Sequence, residues 1–413
     1  MDWKRLSLLN RMSIIFLVIT LCTNAALAQN KLNIYGFFST RFEKVFTELS
    51  IDENGQTVKE SAPSEWSFPF FNIMLQHYIS DNFRAFANLN GSGAENITLS
   101  NFWGEYSPAR SLNLRLGKTY RKFGLYNEIL DAVPTYYGIE PPELFDGDHL
   151  IVSRTTTLMG YGSVGIGSAD FNYSLSTDNG EGGPSKETLP LGWDFNLRFG
   201  AGDYILGFSG YTSGGPTTSD VALGEGPPNT GVLPWMAEDD FIAIGGYGEA
   251  RVGDGLIQAA YWHANHKAIR DPESVVEVVE NAGINDAQRA RFLKIPGGPA
   301  TVENVNTIGD YDIDTWYIRA GYSFDISIGE IGPYFQWDYY KNPETIQNKK
   351  YGGDNEAGLA DDGKFHKGTL GIVLRPVPEV AVKLDGSTHI QRFNGVIESY
   401  SEIRLDISFI FGP

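Results

Sequence analysis

From Glu402 to Phe409 the chain alternates strictly: Ile403, Leu405, Ile407 and Phe409 are apolar, with Phe411 continuing their face, and Glu402, Arg404, Asp406 and Ser408 between them are polar. A period of two belongs to a β-strand with one apolar and one wet face. The pattern recurs upstream. Leu112, Leu114 and Leu116 alternate with Asn113 and Arg115, and Trp193, Phe195, Leu197 and Phe199 with Asp194, Asn196 and Arg198. Trp316, Ile318 and Ala320 alternate with Tyr317 and Arg319, and Val380, Val382 and Leu384 with Lys383 and Asp385. In each case a full charge sits near mid-strand on the polar face.

Turn signals divide these strands. Short links are read at 80–82, 107–111, 167–170, 200–203, 253–255, 325–329 and 376–379. Longer ones lie at 49–65, 91–96, 121–149, 179–189, 214–238, 267–310, 342–363 and 392–399. Short and long links take turns along the chain. In an up-and-down barrel successive links lie at opposite rims, so one rim is trimmed and the other elaborated, as in outer-membrane barrels. A Greek-key sandwich has no reason to sort its links this way. The links predict an all-β fold, a transmembrane antiparallel up-and-down β-barrel of about sixteen strands, with both ends on the short-turn side. Most strands run about ten residues or more, enough to cross the hydrocarbon at the usual tilt. Phe335, Trp337 and Tyr339 share one strand face, as do Trp316 and Tyr322, and these suit aromatic girdles.

Composition agrees: 42% hydrophobic residues and 47 glycines give a mean hydropathy of only −0.22, so the apolar residues are dispersed. Past the N-terminus nothing offers the roughly 18 apolar residues of a transmembrane helix. At the N-terminus, Lys4, Arg5 and Arg11 precede an apolar stretch, 12–21, and Ala26-Leu27-Ala28 follows. That order is a cleavable secretory signal, 1–28, leaving 29–413 as one barrel domain. The single cysteine, Cys22, lies inside the signal, which excludes disulfides, cysteine-ligated zinc and thiol catalysis from the exported chain. A net charge of −19 argues against nucleic acid as a partner, because phosphate binding needs a basic surface.

Motifs for other chemistry are weak. Gly160 to Gly165 fits G-x-G-x-x-G but no helix follows. His263 and His266, three apart on a strand, point to opposite faces. Asp310, Asp312 and Asp314 share a face, where a solvated pore mouth is favoured over calcium. No nucleophile motif accompanies the six histidines. The expectation is a non-enzyme without metal or cofactor, with a soluble exported β-protein that binds carbohydrate or mediates adhesion as the alternative.

In its signal, its alternating strands, its short turns and long loops, and its aromatic last strand, the chain resembles the Gram-negative outer-membrane porins. It departs from their usual terminal aromatic, because Gly412 and Pro413 follow Phe411. The resemblance implies a water-filled channel in the bacterial outer membrane for passive diffusion of small hydrophilic solutes or ions, with some substrate selectivity. It further implies contact with outer-membrane lipid and lipopolysaccharide, assembly as a homotrimer, and a third long loop, 121–149, folded into the bore. Sixteen strands enclose a bore too wide for wall side chains to fill. A charge on the lipid face at mid-membrane costs about 2–4 kcal/mol, which turns mid-strand charges inward. The pore-lining candidates are therefore Arg84, Arg115, Arg154, Arg198, Arg319, Lys383 and Arg404, with Arg41 and Arg375 either inward or nearer a rim. On the third loop, Glu128, Asp131, Glu140, Glu143, Asp146 and Asp148 are expected to face these cations across the narrowest section. The acidic outer loops favour cations or zwitterions, and the basic wall favours anions. Link 267–310 carries helical signals, Asp271-Pro272 before a valine-rich stretch and then 286–293. Such a hairpin either packs on its own barrel mouth, lids the pore or meets a neighbouring subunit.

Overall fold

A computed structural model describes residues 32–412, apart from 52–56, 68, 93–95, 130–131, 146–154, 180–188, 217–232, 234, 282–283 and 347–356. The expected signal, 1–28, lies outside the described residues. Sixteen long strands form one antiparallel sheet. They are β1 Leu32–Phe46, β2 Phe70–Tyr78, β3 Phe83–Ser92, β4 Asn96–Ala109, β5 Leu112–Thr119, β6 Thr155–Ile166, β7 Ala169–Thr177 and β8 Leu191–Phe199. There follow β9 Tyr204–Pro216, β10 Met236–Val252, β11 Gly255–Arg270, β12 Tyr311–Tyr322, β13 Gly329–Lys341, β14 Lys364–Val377, β15 Val380–Phe393 and β16 Val396–Phe411. Each pairs with the next, and β1 closes on β16 from Gly36↔Phe411 to Phe46↔Ser401. Closure leaves no free sheet edge, the condition for spanning a bilayer with strands. Two short segments, Glu65–Trp66 and Phe324–Ile326, extend the sheet. No described helix is long and apolar enough to cross a membrane.

The two faces are sorted inside out. Leu116 (59% exposed) and Leu370 (68%) lie on the outer face, while Arg319 and Lys383 are fully buried. In water that outer belt would oppose folding at about 25 cal/mol per Å² of apolar surface; against lipid tails it costs nothing. Aromatic pairs stack toward both ends of the strands: Phe83 on Tyr106 and Phe199 on Tyr204 beside short turns, and Trp316 on Tyr339 nearer the long loops.

Two of the long links are in fact tight. Ser92 pairs with Asn96 and Phe393 with Val396, so β3–β4 and β15–β16 are hairpins with minimal loops. At the second, Asn394 (φ 49°) and Gly395 (φ 78°) are both left-handed, the type I′ turn for which Asn-Gly is the preferred pair. The polar residues Gln391, Arg392 and Glu398 around it belong to the paired strands, and this inflated the link in the sequence.

Loop 6 forms two helices, α1 Pro272–Asn281 and α2 Asp286–Phe292. Asp271 accepts from the Ser274 amide at the start of α1, and Asn285 with Gln288 forms a capping box for α2. Val275, Val278 and Phe292 are buried with Trp235, Met236, Ile346, Ala357 and Phe365, so loops 6 and 7 share a core with the tops of their own strands.

Candidate functional site

After Thr119 the chain enters loop 3, which makes short 3₁₀ turns at Asn127–Ile129, Val133–Thr135 and Glu143–Phe145. Gly124 (φ 65°) and Gly138 (φ 91°) bend it in left-handed conformations that also lack room for a Cβ, with Trp262 and Arg319 atoms 2.9 and 3.0 Å from where one would sit. Gly321 and Gly332 on β12 and β13 accommodate the Tyr137 ring in the same way, at 2.7 and 2.8 Å.

Inward side chains of β1, β9 and β11 to β16 hold this loop. Lys383 donates to the carbonyls of Val133, Tyr136 and Gly138, the last two at 2.8 and 2.7 Å. The Ile139 amide donates to Asp385 (3.2 Å) and the Glu143 amide to Asp338 (3.2 Å). Arg319 donates to the Tyr126 hydroxyl and to the Glu140 carbonyl, and Gly124 N donates to Ser209 (2.8 Å). A loop buried inside a barrel must satisfy its own amides and carbonyls; here the wall does so, each charged hydrogen bond contributing about 1.5–3 kcal/mol.

Glu140 is the hub. It takes Arg41 of β1 (3.2 Å), Lys367 of β14 (2.9 Å) and Arg404 of β16, and Lys367 also reaches Glu143 (2.6 Å). Arg404 continues to Glu402 (2.7 Å) and Glu43 (3.2 Å), and His389 to Glu402 (2.9 Å). Burial pushes the Glu140 carboxyl up, but Arg404, Lys367 and Arg41 together outweigh it and hold it well below the usual carboxylate range.

Of the loop acids expected to face wall cations, Glu140 and Glu143 stand in direct contact with them. Arg41 joins that cluster, whereas Arg375 pairs with Glu330 (3.3 Å) near the short turns. Sequence reasoning does not count Lys367, Asp338, Asp385 and Glu402 among the site candidates, although it reads Asp385 and Glu402 on polar strand faces. Each sits on the polar face of an alternating strand, the same signal that singled out the arginines. Arg154, Asp131, Asp146 and Asp148 lie outside the described residues.

Across the bore the remaining candidates gather on β3 to β8. Arg84 and Arg115 share Glu105, which also accepts from the Tyr161 hydroxyl (2.5 Å). Glu128 pairs with Lys122 (2.5 Å) and lies 3.7 Å from Arg115. Burial raises its carboxyl, and Lys122 and Arg115 pull it below the ordinary value. A cavity of about 340 Å³ lies between this limb of loop 3 and the wall, with Arg198 in its lining.

The weak motifs fall into place. Gly160 to Gly165 lies within β6. His266 is buried on Asp239 (3.0 Å), whereas His263, partly exposed, meets Asp314 (2.9 Å) on the other face. Asp314 also binds Lys341 (3.1 Å). Among the described residues no group of three or more metal-ligating side chains occurs.

The closed sixteen-stranded barrel is similar to solved structures. An anion-selective porin from Comamonas acidovorans superposes with a TM-score of 0.54 at 13% identity, over 92% of this chain and 99% of that one. The chain has the porin fold. OmpT of Vibrio cholerae in its trimer form gives 0.52 at 10% identity, over 92% and 99%. OprB of Pseudomonas putida gives 0.51 at 8%, over 94% and 96%. No family model and no curated protein matches the sequence. At these identities the likeness to porins is one of fold, and solute preference has to be argued from this chain's own residues.

Proposed function

We propose that this protein is an outer-membrane porin, a water-filled channel for passive diffusion of small hydrophilic solutes or ions, with no enzymatic activity. One observation carries the reading: a closed barrel of sixteen strands keeps its charged face inside and its apolar face outside. A wall this wide leaves a wet interior unless something fills it. Loop 3 fills part of it and, on this reading, forms the constriction, with Arg84, Arg115 and Arg198 lining the open side. The short turns then face the periplasm, the long loops face outward beside lipopolysaccharide, and three copies assemble as a homotrimer. The test is single-channel recording of the purified protein in planar bilayers. Discrete conductance steps are expected; their absence, or recovery of the mature protein from the periplasm without detergent, refutes the proposal.

A further inference from the structure

Resting on the porin reading, we propose that the cavity beside loop 3 is a binding station for a hydroxylated monocarboxylate, a sugar acid of about hexose size. Its volume, about 340 Å³, lies at the lower end of ordinary ligand sites. Every other cation in its lining has a carboxylate partner: Lys122 has Glu128 (2.5 Å) and Arg110 has Asp170 (2.7 Å). Asp194, also in the lining, is buried and accepts from Ser209 (2.7 Å), Tyr247 (2.9 Å) and Asn196 (3.1 Å), so its oxygens are turned into the wall. Arg198 is different. Among the described residues it has no carboxylate within ion-pair distance, and its one polar contact is a long one, Nε to Asn196 Oδ1 at 3.4 Å. An exposed guanidinium fork matches a carboxylate with two parallel hydrogen bonds.

Beside it runs a row of side-chain amides. Asn172 stands directly opposite both Asn196 on β8 and Ser163 on β6, and Asn113 on β5 enters the same cavity. Asn172 donates to Asn196 (3.0 Å) and Asn113 to the Tyr161 carbonyl (3.2 Å). The amide oxygens of Asn172 and Asn113 are left to accept, and each amide has a second hydrogen to give. Adjacent donors and acceptors without charge are what vicinal hydroxyls require. A second negative charge on the solute would meet the carboxylates of the same lining, Glu128 and Asp194, so the station favours monoanions over phosphate dianions. Acetate would find the fork but not the amides, and a neutral hexose the reverse.

The experiment is block of single-channel current by sodium galacturonate, galactose and sodium acetate, each titrated into potassium chloride. Galacturonate is expected to block saturably, with half-block at a concentration about tenfold lower than either of the others, a difference of about 1.4 kcal/mol. Arg198→Gln should raise the galacturonate half-block about tenfold, Arg198→Lys less, and Asn172→Ala should weaken it while sparing acetate. Arg251→Gln, on the far side of loop 3, should change nothing. Equal block by galacturonate and galactose, or indifference to both Arg198 variants while conductance steps persist, overturns the station. Loss of all steps in the unaltered protein instead overturns the porin reading.

Discussion

Lys383 and Glu140 divide the attachment of loop 3 between them. Lys383 satisfies three carbonyls that would otherwise be buried without donors. An unsatisfied buried polar group costs about 1–3 kcal/mol, so Lys383→Met should free the loop. Limited proteolysis within 121–149 and noisier channel current are the expected readouts; an unchanged cleavage pattern would contradict the role. Glu140→Gln removes the charge that balances Arg41, Lys367 and Arg404. Arg41 then loses its carboxylate partner, while Lys367 keeps Glu143 and Arg404 keeps Glu402 and Glu43; the cluster gains one net positive charge, and the reversal potential in a salt gradient should move toward anion preference. The pH dependence follows from the depressed carboxyl. Its folded value lies below the unfolded one of about 4.3, so its contribution is complete above that pH and is lost as pH falls through the folded value. Channel noise should therefore stay flat from neutral pH to about 4 and rise only below it.

At the scale of elements, strand and turn were legible where a local rule was enough. Alternation placed β5, β8, β12, β15 and β16, because a strand between lipid and water must change polarity at every residue. Link length was legible only where the strand ended with its pattern. At 392–399 polar residues continued the strand pairing up to Asn394-Gly395, and the turn chemistry was the better guide. Ala-Ala in place of that pair forces two ordinary residues into left-handed backbone at about 1–2 kcal/mol each. Slower refolding into detergent or bilayers, with a lower unfolding midpoint, is the expected result.

For the whole molecule, the inverted faces make opposite demands on neighbouring positions. Leu370 lies mid-strand on the outer face of β14, and Thr369 beside it is buried inside. Leu370→Arg should destabilise the folded barrel in a bilayer by about 2–4 kcal/mol, while Thr369→Arg should cost far less in stability and act on conductance instead. Equal effects would contradict the assigned membrane face.

The sequence by itself determined the alternation, an even count of strands, and the inward placement of mid-strand charges, because each follows from the period of a strand and the cost of charge in lipid. Only the tertiary structure decided which charges meet. Glu140 lies far along the chain from Lys367 and Arg404, and contacts at such separations depend on closure of β1 on β16 and on the path of loop 3, which no local pattern encodes. It also decided that Glu140 and Glu143 are consumed in attachment and Glu128 is taken up by Lys122, leaving Arg198, among the described residues, as the cation in its cavity without a carboxylate at ion-pair distance, so that the balance of charge a solute meets differs from the one the composition suggests.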